Sequence, residues 1–453
     1  MTYLQTLSGK KVLVLGAGVT GRAVERFLNE AGAEVVLLDE GSSADSHQSI
    51  TDVALGDFQL AIVSPGWRLD HPWVKLMREN AIEILSEIDL AWRIKSELHP
   101  EQRWIALTGT NGKTTTVQMT EAMLQRSGIR ARACGNVGDP VIELVRDSEI
   151  DVLVLELSSF QLSWSREARF FAGAILNIAD DHIDWHGSFA AYADAKFAIA
   201  GMSEMLIANL DDPVVGSRLH ALKLRLIPYT LNTPAPHQIG LVENLIVDRA
   251  FVSGDAEVLF ELSDVKPAVP HNVANAMAAA GLARAVGATG TSISEAISEF
   301  RLDHHRLELV AEKDGISWID DSKATNPHAA LAALKSQLRS IWIAGGLAKD
   351  AKMDELIKEG ASRIKYAILI GRDAPVISEA LQRLAPNVPV ERLDVELTGL
   401  DLMRQVVRIA KGKAEPGDSV LLAPACASMD QFKNYAERGE FFAQAVKELI
   451  NAK

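Results

Sequence analysis

Residues 106–116 read ALTGTNGKTTT. A strand-like run from Trp104 to Leu107 enters a glycine turn, and a helix is expected from Thr114 to Leu124. The amides of Gly109, Thr110, Asn111, Gly112, Lys113 and Thr114 can then line an anion nest at a helix N-terminus. Lys113 adds a point charge, Thr114 a hydroxyl suited to magnesium, and Thr115 continues the motif. The usual phosphate-loop pattern, G-x-x-x-x-G-K-[ST], asks for glycine where this chain has Leu107. That change alters the entry to the turn and leaves the donors in place. The loop reads as an ATP site; a glycine-rich turn with an accidental Lys-Thr is the bland alternative.

Working outward, residues 10–40 (KKVLVLGAGVTGRAVERFLNEAGAEVVLLDE) form a βαβ pattern, with a strand from Val12 to Leu15 and a second ending at Asp39. Gly16, Gly18 and Gly21 spell the dinucleotide fingerprint in its proper context, with an acidic residue at its far end. A tight strand-helix turn without a ligand is the competing reading. A further strand, LAIVSPG, runs into Pro65-Gly66. Polar residues from Lys95 to Gln102 mark a first domain boundary, and a second falls near Leu302. Between them DVLVLELSSFQL, AGAILNIADDH and MLIANLDD end in acidic or hydroxyl residues, where α/β enzymes place chemistry. An antiparallel pair around Gly254-Asp255 and an alanine-rich helix stopped by Gly287 follow. Strands SIWIAGG, YAILIG and SVLLAPA then alternate with helices. The expected fold is α/β with three domains: 1–96, Rossmann-like; 97–302, P-loop ATPase-like with a mostly parallel sheet; and 303–453, Rossmann-like.

Composition bounds the function. With 453 residues, 48% hydrophobic and 23% charged, the chain can bury sizeable cores, and no apolar run approaches membrane-spanning length. The formal charge of -14 disfavours nonspecific nucleic-acid binding, so an anionic substrate must meet local cations, a metal ion or helix N-termini. Cys134 and Cys426 lack partner spacing and read as free thiols in a reducing compartment. A cytoplasmic monomer acting on small molecules, with no membrane partner, is the expectation. Glu156 at a strand end, and Asp181 and His182 at the end of the next strand, offer ligands for metal beside the phosphate loop.

TGTNGKTT, ELSSFQL, NIADDHIDWH, YADAKF, HNVANA, HHRLE, DDSKATN and PACASMDQFKNYAERG together resemble the Mur ligase family, from the first glycine turn to Gly439. That family writes its phosphate loop as G-T-N-G-K-[ST], without the earlier glycine. The resemblance implies ATP-dependent ligation of D-glutamate to UDP-N-acetylmuramoyl-L-alanine through an acyl phosphate. It implies that Lys113 contacts phosphates, that Thr114, Glu156 and His182 serve two magnesium ions, and that Asn272, Arg306 and Asp321 hold ATP. Lys196, which by itself reads as a solvated helix residue, matches the family's carbamylated lysine, a carbamate formed from carbon dioxide. Gly18, Thr20, Asp39, Ser64, Gly66, Asn136 and Ser158 fall to the UDP substrate. Lys323, Thr325, Lys349, Ser428, Met429 and Tyr435 fall to D-glutamate, whereas Arg438 reads as a solvated helix charge. Glu40-Gly41 departs from the family's Thr-Arg, and Tyr435 stands where phenylalanine is frequent. Other readings are a sister ligase adding a different amino acid, L-glutamate included, an NAD(P)-dependent dehydrogenase, and a switching ATPase without ligase chemistry.

Overall fold

A computed structural model describes residues 2–41, 46–252, 254–393 and 395–451. Among the described residues three sheets form. The first pairs β1 (Lys11–Leu15), β2 (Glu34–Leu38), β3 (Leu60–Val63) and β4 (Glu83–Ser86) in the all-parallel order β2-β1-β3-β4. The second contains β5 (Arg103–Thr108), β6 (Ala131–Gly135), β7 (Val152–Glu156), β8 (Ala172–Ile175), β9 (Met205–Asn209), β10 (Arg225–Thr230), β11 (Ile239–Val242), β12 (Leu245–Asp248) and β13 (Glu257–Glu261). Its order is β13-β12-β11-β10-β9-β8-β5-β7-β6, parallel except where β12 meets β11 and β13. The third contains β14 (Glu308–Lys313), β15 (Ile316–Asp320), β16 (Ser340–Gly345), β17 (Ile364–Ile370), β18 (Val390–Arg392) and β19 (Ser419–Leu422), ordered β14-β15-β19-β16-β17-β18. Here β14 alone is antiparallel to its neighbour.

The chain packs as two compact units, Met1–Ile178 with Trp185–Phe300, and Ala179–Asp184 with Arg301–Lys453. In the second unit the period-two alternation of strands is read directly in the two cores. Trp318, Ile341, Ile343, Ile368, Val420 and Leu422 face one helical layer, while Ile319, Trp342, Ala344, Leu369 and Leu421 face the other. Apolar runs without alternation in polarity are therefore strands covered on both faces. In the first unit the alanine-rich helix is Pro270–Ala285, buried from Asn272 to Ala283 apart from the half-buried Ala274. Alanine lets it lie close against β8, β9 and β10.

Within the first unit, the helix Glu87–Leu98 ties the first sheet to the second. Ser86 caps it by accepting from the Asp89 amide, and both acidic residues of its first turn are buried. Asp89 accepts hydrogen bonds from the amides of Arg166, Glu167 and Ala168. Glu87 Oε1 accepts from the Ile142 amide at 2.7 Å. Burial of Glu87 nevertheless outweighs these amides and raises its pKa from 4.5 to about 7. Because the folded state holds the proton more tightly, this group's contribution is complete below pH 4.5 and is lost as pH rises through about 7.

Glu87→Gln keeps an oxygen for the Ile142 amide and removes the buried charge. Urea unfolding should find the variant more stable than the parent at pH 8, by up to roughly 3 kcal/mol, with the difference shrinking toward pH 5. An equal difference at both pH values would contradict this account.

Candidate active site

At Leu107 the chain is still strand. Leu107 pairs in register with Glu156, and its side chain lies in the core of the second sheet. The turn begins after Thr108, so the position where other phosphate loops place glycine needs none. The helix Lys113–Arg126 starts from Gly112, whose φ is +84° and whose missing Cβ would lie 2.3 Å from Asn275 Oδ1. Glycine is required there on both counts. Asn177, just beyond β8, clamps the loop reciprocally: its Oδ1 accepts from the Asn111 amide at 2.8 Å and its Nδ2 donates to the Asn111 carbonyl at 3.0 Å. The Thr110 hydroxyl lies 2.8 Å from the Tyr192 hydroxyl, and Lys113 Nζ donates to the Gly109 and Thr110 carbonyls. Thr114 and Thr115 fill the first helical turn, with Thr115 buried.

Glu156, the last residue of β7, is buried. Its Oε1 accepts from Asn136 Nδ2 at 2.8 Å, while its Oε2 has no hydrogen-bond partner. A buried carboxylate oxygen without a partner is costly. It is a fitting ligand for a hard cation beside the phosphate loop. Lys196 is only 2% exposed on the helix Phe189–Gly201. Its Nζ donates to the Gly109 carbonyl at 2.8 Å and lies 3.4 Å from Thr108 Oγ1, over the Tyr192 ring. The solvated position that helix placement alone suggests is thereby corrected. Asn272 is buried on the first turn of the helix Pro270–Ala285 and donates to the Pro267 carbonyl. His182, in the segment Ala179–Asp184, has a left-handed φ of +52°, and its amide donates to Asp181 Oδ1.

The strand order of the first sheet reverses between β1 and β3, the place where open α/β sheets bind their ligands. Gly18 precedes the helix Val19–Glu30, and Thr20 stands in its first turn. A Cβ at Gly21 would lie 1.7 Å from the Gly16 carbonyl oxygen, so the turn closes only with glycine. Ser64 Oγ faces this turn and lacks a hydrogen-bond partner. Asp39 accepts from the Ala17 amide at 2.5 Å and the Gly41 amide at 2.7 Å, bracing the turn with both oxygens. The Gly66 carbonyl accepts from Trp185 Nε1, and Ser158 caps the helix Ser159–Trp164.

In the second unit β15, β19 and β16 are adjacent and parallel, so the segments after them share one sheet edge. Lys323 and Thr325 follow β15, Lys349 follows β16, and Ser428 and Met429 follow β19. Gly346 allows two of these segments to run together, since its Cβ would lie 2.0 Å from the Ala427 carbonyl oxygen. Lys323 Nζ lies 3.8 Å from the Tyr435 ring centroid. Lys349 is exposed with φ +49°, Ser428 is buried, and Met429 is 60% exposed. Asp321 accepts from the Leu307 amide. Burial raises the Asp321 pKa to about 7, against the nearby charge of Arg306.

Residues 107–283 match the Mur ligase middle domain and residues 305–426 the Mur ligase glutamate ligase domain. UDP-N-acetylmuramoylalanine--D-glutamate ligase of Streptomyces coelicolor is 43% identical, with 98% of each chain covered. The chain belongs to the Mur ligase family. The enzyme of the same name from Thermobifida fusca is also 43% identical, covering 98% of this chain and 99% of its own. The fold is shared with the Thermotoga maritima MurF ligase, solved in complex with ADP, at a TM-score of 0.60 and 14% identity, over 99% of this chain and 100% of that one.

Sequence reasoning missed four residues of this Mur ligase: Asn177, Tyr192, Asn275 and Arg438. The first three stood inside the quoted motifs NIADDHIDWH, YADAKF and HNVANA without a role. Arg438 corrects the expectation of a solvated charge, because it is 0% exposed. It donates to Ser322 Oγ and the Ser322 carbonyl at 2.9 Å, and to the Cys426 carbonyl at 3.1 Å. Ser322 Oγ in turn donates to the Tyr435 carbonyl at 2.7 Å. One guanidinium thus joins the segments after β15 and β19 to the helix Tyr435–Asn451. Burial lowers its pKa to about 10, still above neutral pH. The signal was available: Arg438, Phe442, Ala445 and Val446 form the buried stripe of that helix.

Arg438→Lys keeps the charge but cannot present two carbonyls with a planar fork. Chemical denaturation should show a loss of about 2–4 kcal/mol, the cost of leaving buried acceptors unpaired around a buried charge. A change within about 0.5 kcal/mol, as surface substitutions give, would remove Arg438 as the joining group.

Proposed function

We propose that this Mur ligase joins D-glutamate to the alanyl carboxylate of UDP-N-acetylmuramoyl-L-alanine, with ATP converted to ADP and phosphate, as a step of peptidoglycan precursor synthesis. The observation that carries this reading is the partnerless Glu156 oxygen in register with the phosphate-loop strand, in a chain 43% identical to a ligase of that name. The alanyl carboxylate oxygen attacks the γ-phosphorus, giving an acyl phosphate and ADP. The amine of D-glutamate attacks the acyl carbon, loses a proton, and phosphate leaves from the tetrahedral intermediate. Catalysis then rests on positioning and on donors aimed at developing charge.

In this reading the amides of Gly109 to Thr115 and the Lys113 ammonium hold the phosphates, and Asn272, Arg306 and Asp321 orient the nucleotide. Lys113 Nζ leaves the two loop carbonyls it now meets when phosphate oxygens replace them. Thr114, Glu156, His182 and a carbamate on Lys196 hold magnesium, two ions in all, which when bound neutralises charge on the transferring phosphoryl group. The carbamate forms when carbon dioxide adds to the neutral amine, which then loses a proton, turning the buried cation into an anion with two oxygens. Gly18, Thr20, Asp39, Ser64, Gly66, Asn136 and Ser158 hold the UDP substrate. Lys323 and Lys349 meet the two carboxylates of D-glutamate, with Thr325, Ser428, Met429 and Tyr435 completing the pocket. The domains are 1–96 for the UDP substrate, 97–302 for ATP and 303–453 for the amino acid. The protein works as a cytoplasmic monomer on small molecules, with no nucleic-acid or membrane partner; among the described residues no helix is long and apolar enough to cross a membrane.

Phosphate release with UDP-N-acetylmuramoyl-L-alanine, ATP and magnesium should require D-glutamate, with one dipeptide product per phosphate. Release driven instead by L-glutamate, meso-diaminopimelate or L-alanine would move the chain to a sister activity. Lys196→Ala should lose at least about a hundredfold in kcat, a few kcal/mol of transition-state stabilisation, and recover part of it in formate or acetate. Full activity without added acid would remove the carbamate from the mechanism.

A further inference from the structure

We propose that His305, Glu308 and Asp320 form a binding site for a divalent transition-metal ion of the zinc class, additional to the oxygen set assigned to magnesium. One ligand atom from each residue lies within 4.8 Å of the other two. His305 Nδ1 is 2.7 Å from Asp320 Oδ2, and Glu308 Oε2 accepts from the His305 amide at 2.9 Å. His304 Nδ1, on the same short segment but outside the set of three, lies 3.0 Å from Glu308 Oε1. Asp320 is oriented in advance, because its other oxygen accepts from the Ser322 amide at 2.8 Å.

Two further observations separate this cluster from an ordinary ion pair. His305, Glu308 and Asp320 also line a cavity of about 660 Å³, together with Glu440 and Gln444 of the helix Tyr435–Asn451. That helix passes the donors at Gly439, where a Cβ would fall 2.2 Å from His305 Nδ1 and 2.5 Å from Asp320 Oδ2. Any other residue would cover both donor atoms. A His305–Asp320 pair alone would need neither the cavity nor the convergence of Glu308. The ionisable lining is Glu308, Asp320, Glu440, Glu448, Lys447 and the two histidines, a net anionic wall that favours a cation. Imidazole together with carboxylate selects zinc-class ions, whereas magnesium prefers an all-oxygen octahedron. Tetrahedral zinc with bonds of about 2.1 Å spaces its ligands roughly 3.4 Å apart. Side-chain adjustments of about an ångström therefore bring this set to coordination.

The test uses the full-length, chelator-treated protein in millimolar magnesium, titrated calorimetrically with zinc and, separately, followed by visible absorption on adding cobalt(II). One zinc per chain and a cobalt d–d spectrum are expected. His305→Gln and Glu308→Gln should each weaken zinc binding by about tenfold or more, while His182→Ala leaves it unchanged. Glu308 is partly exposed, so its variant keeps the test informative should the His305 variant fail to fold. Absence of stoichiometric zinc uptake, uptake that survives Glu308→Gln, or uptake abolished by His182→Ala would each overturn the proposal.

Discussion

Parallel pairing is the constraint on which the candidate sites depend. A parallel strand must be followed by a return crossover, so the carboxyl ends of neighbouring strands open on the same sheet edge. In the second sheet this brings the loop after β5 beside Glu156 at the end of β7 and Asn177 beyond β8. In the third it gathers the segments after β15, β19 and β16. The backbone donors and acceptors freed at those ends need partners. Reciprocal side-chain contacts such as Asn177 with Asn111 supply them and hold the loops in shape.

Two cations carry this order into the interior. Lys196 and Arg438 both lie on the buried stripe of a helix, and both donate to backbone carbonyls at strand ends. Removing a charge from water is costly, so such groups persist where their donors are met with good geometry. They differ in kind. Arg438 has a rigid fork that serves several acceptors at once, which suits a fixed joint. Lys196 has a primary amine, a group that can also react, placed where the phosphate loop begins.

The glycine turn of the first sheet shows how a motif underdetermines its use. Gly16, Gly18 and Gly21 spell a dinucleotide fingerprint, with Asp39 as the acidic residue at its far end. In the structure Asp39 spends both oxygens on the amides of Ala17 and Gly41. The same letters describe a braced turn whose ligand is set by what surrounds it. Ser64, held by β3 against that turn, belongs to those surroundings and is distant from it in sequence.

Local chemistry was legible without coordinates. The β5 strand, the glycine turn and the helix after it were readable because strand and helix periods and left-handed glycine are short-range effects. The two-faced burial of the third sheet was readable too, since its apolar runs lack polar alternation. The chain by itself also determined which strand ends carry acids, hydroxyls and amides. Only tertiary structure decided which of those ends meet. Register places Glu156 opposite Leu107, and sheet order sets β19 between β15 and β16, and neither is a local property. It also decided that Lys196 and Arg438 are interior, because burial depends on what covers a helix face. The reason is physical: backbone conformation is governed by near neighbours, while desolvation and pairing are governed by residues a hundred positions away.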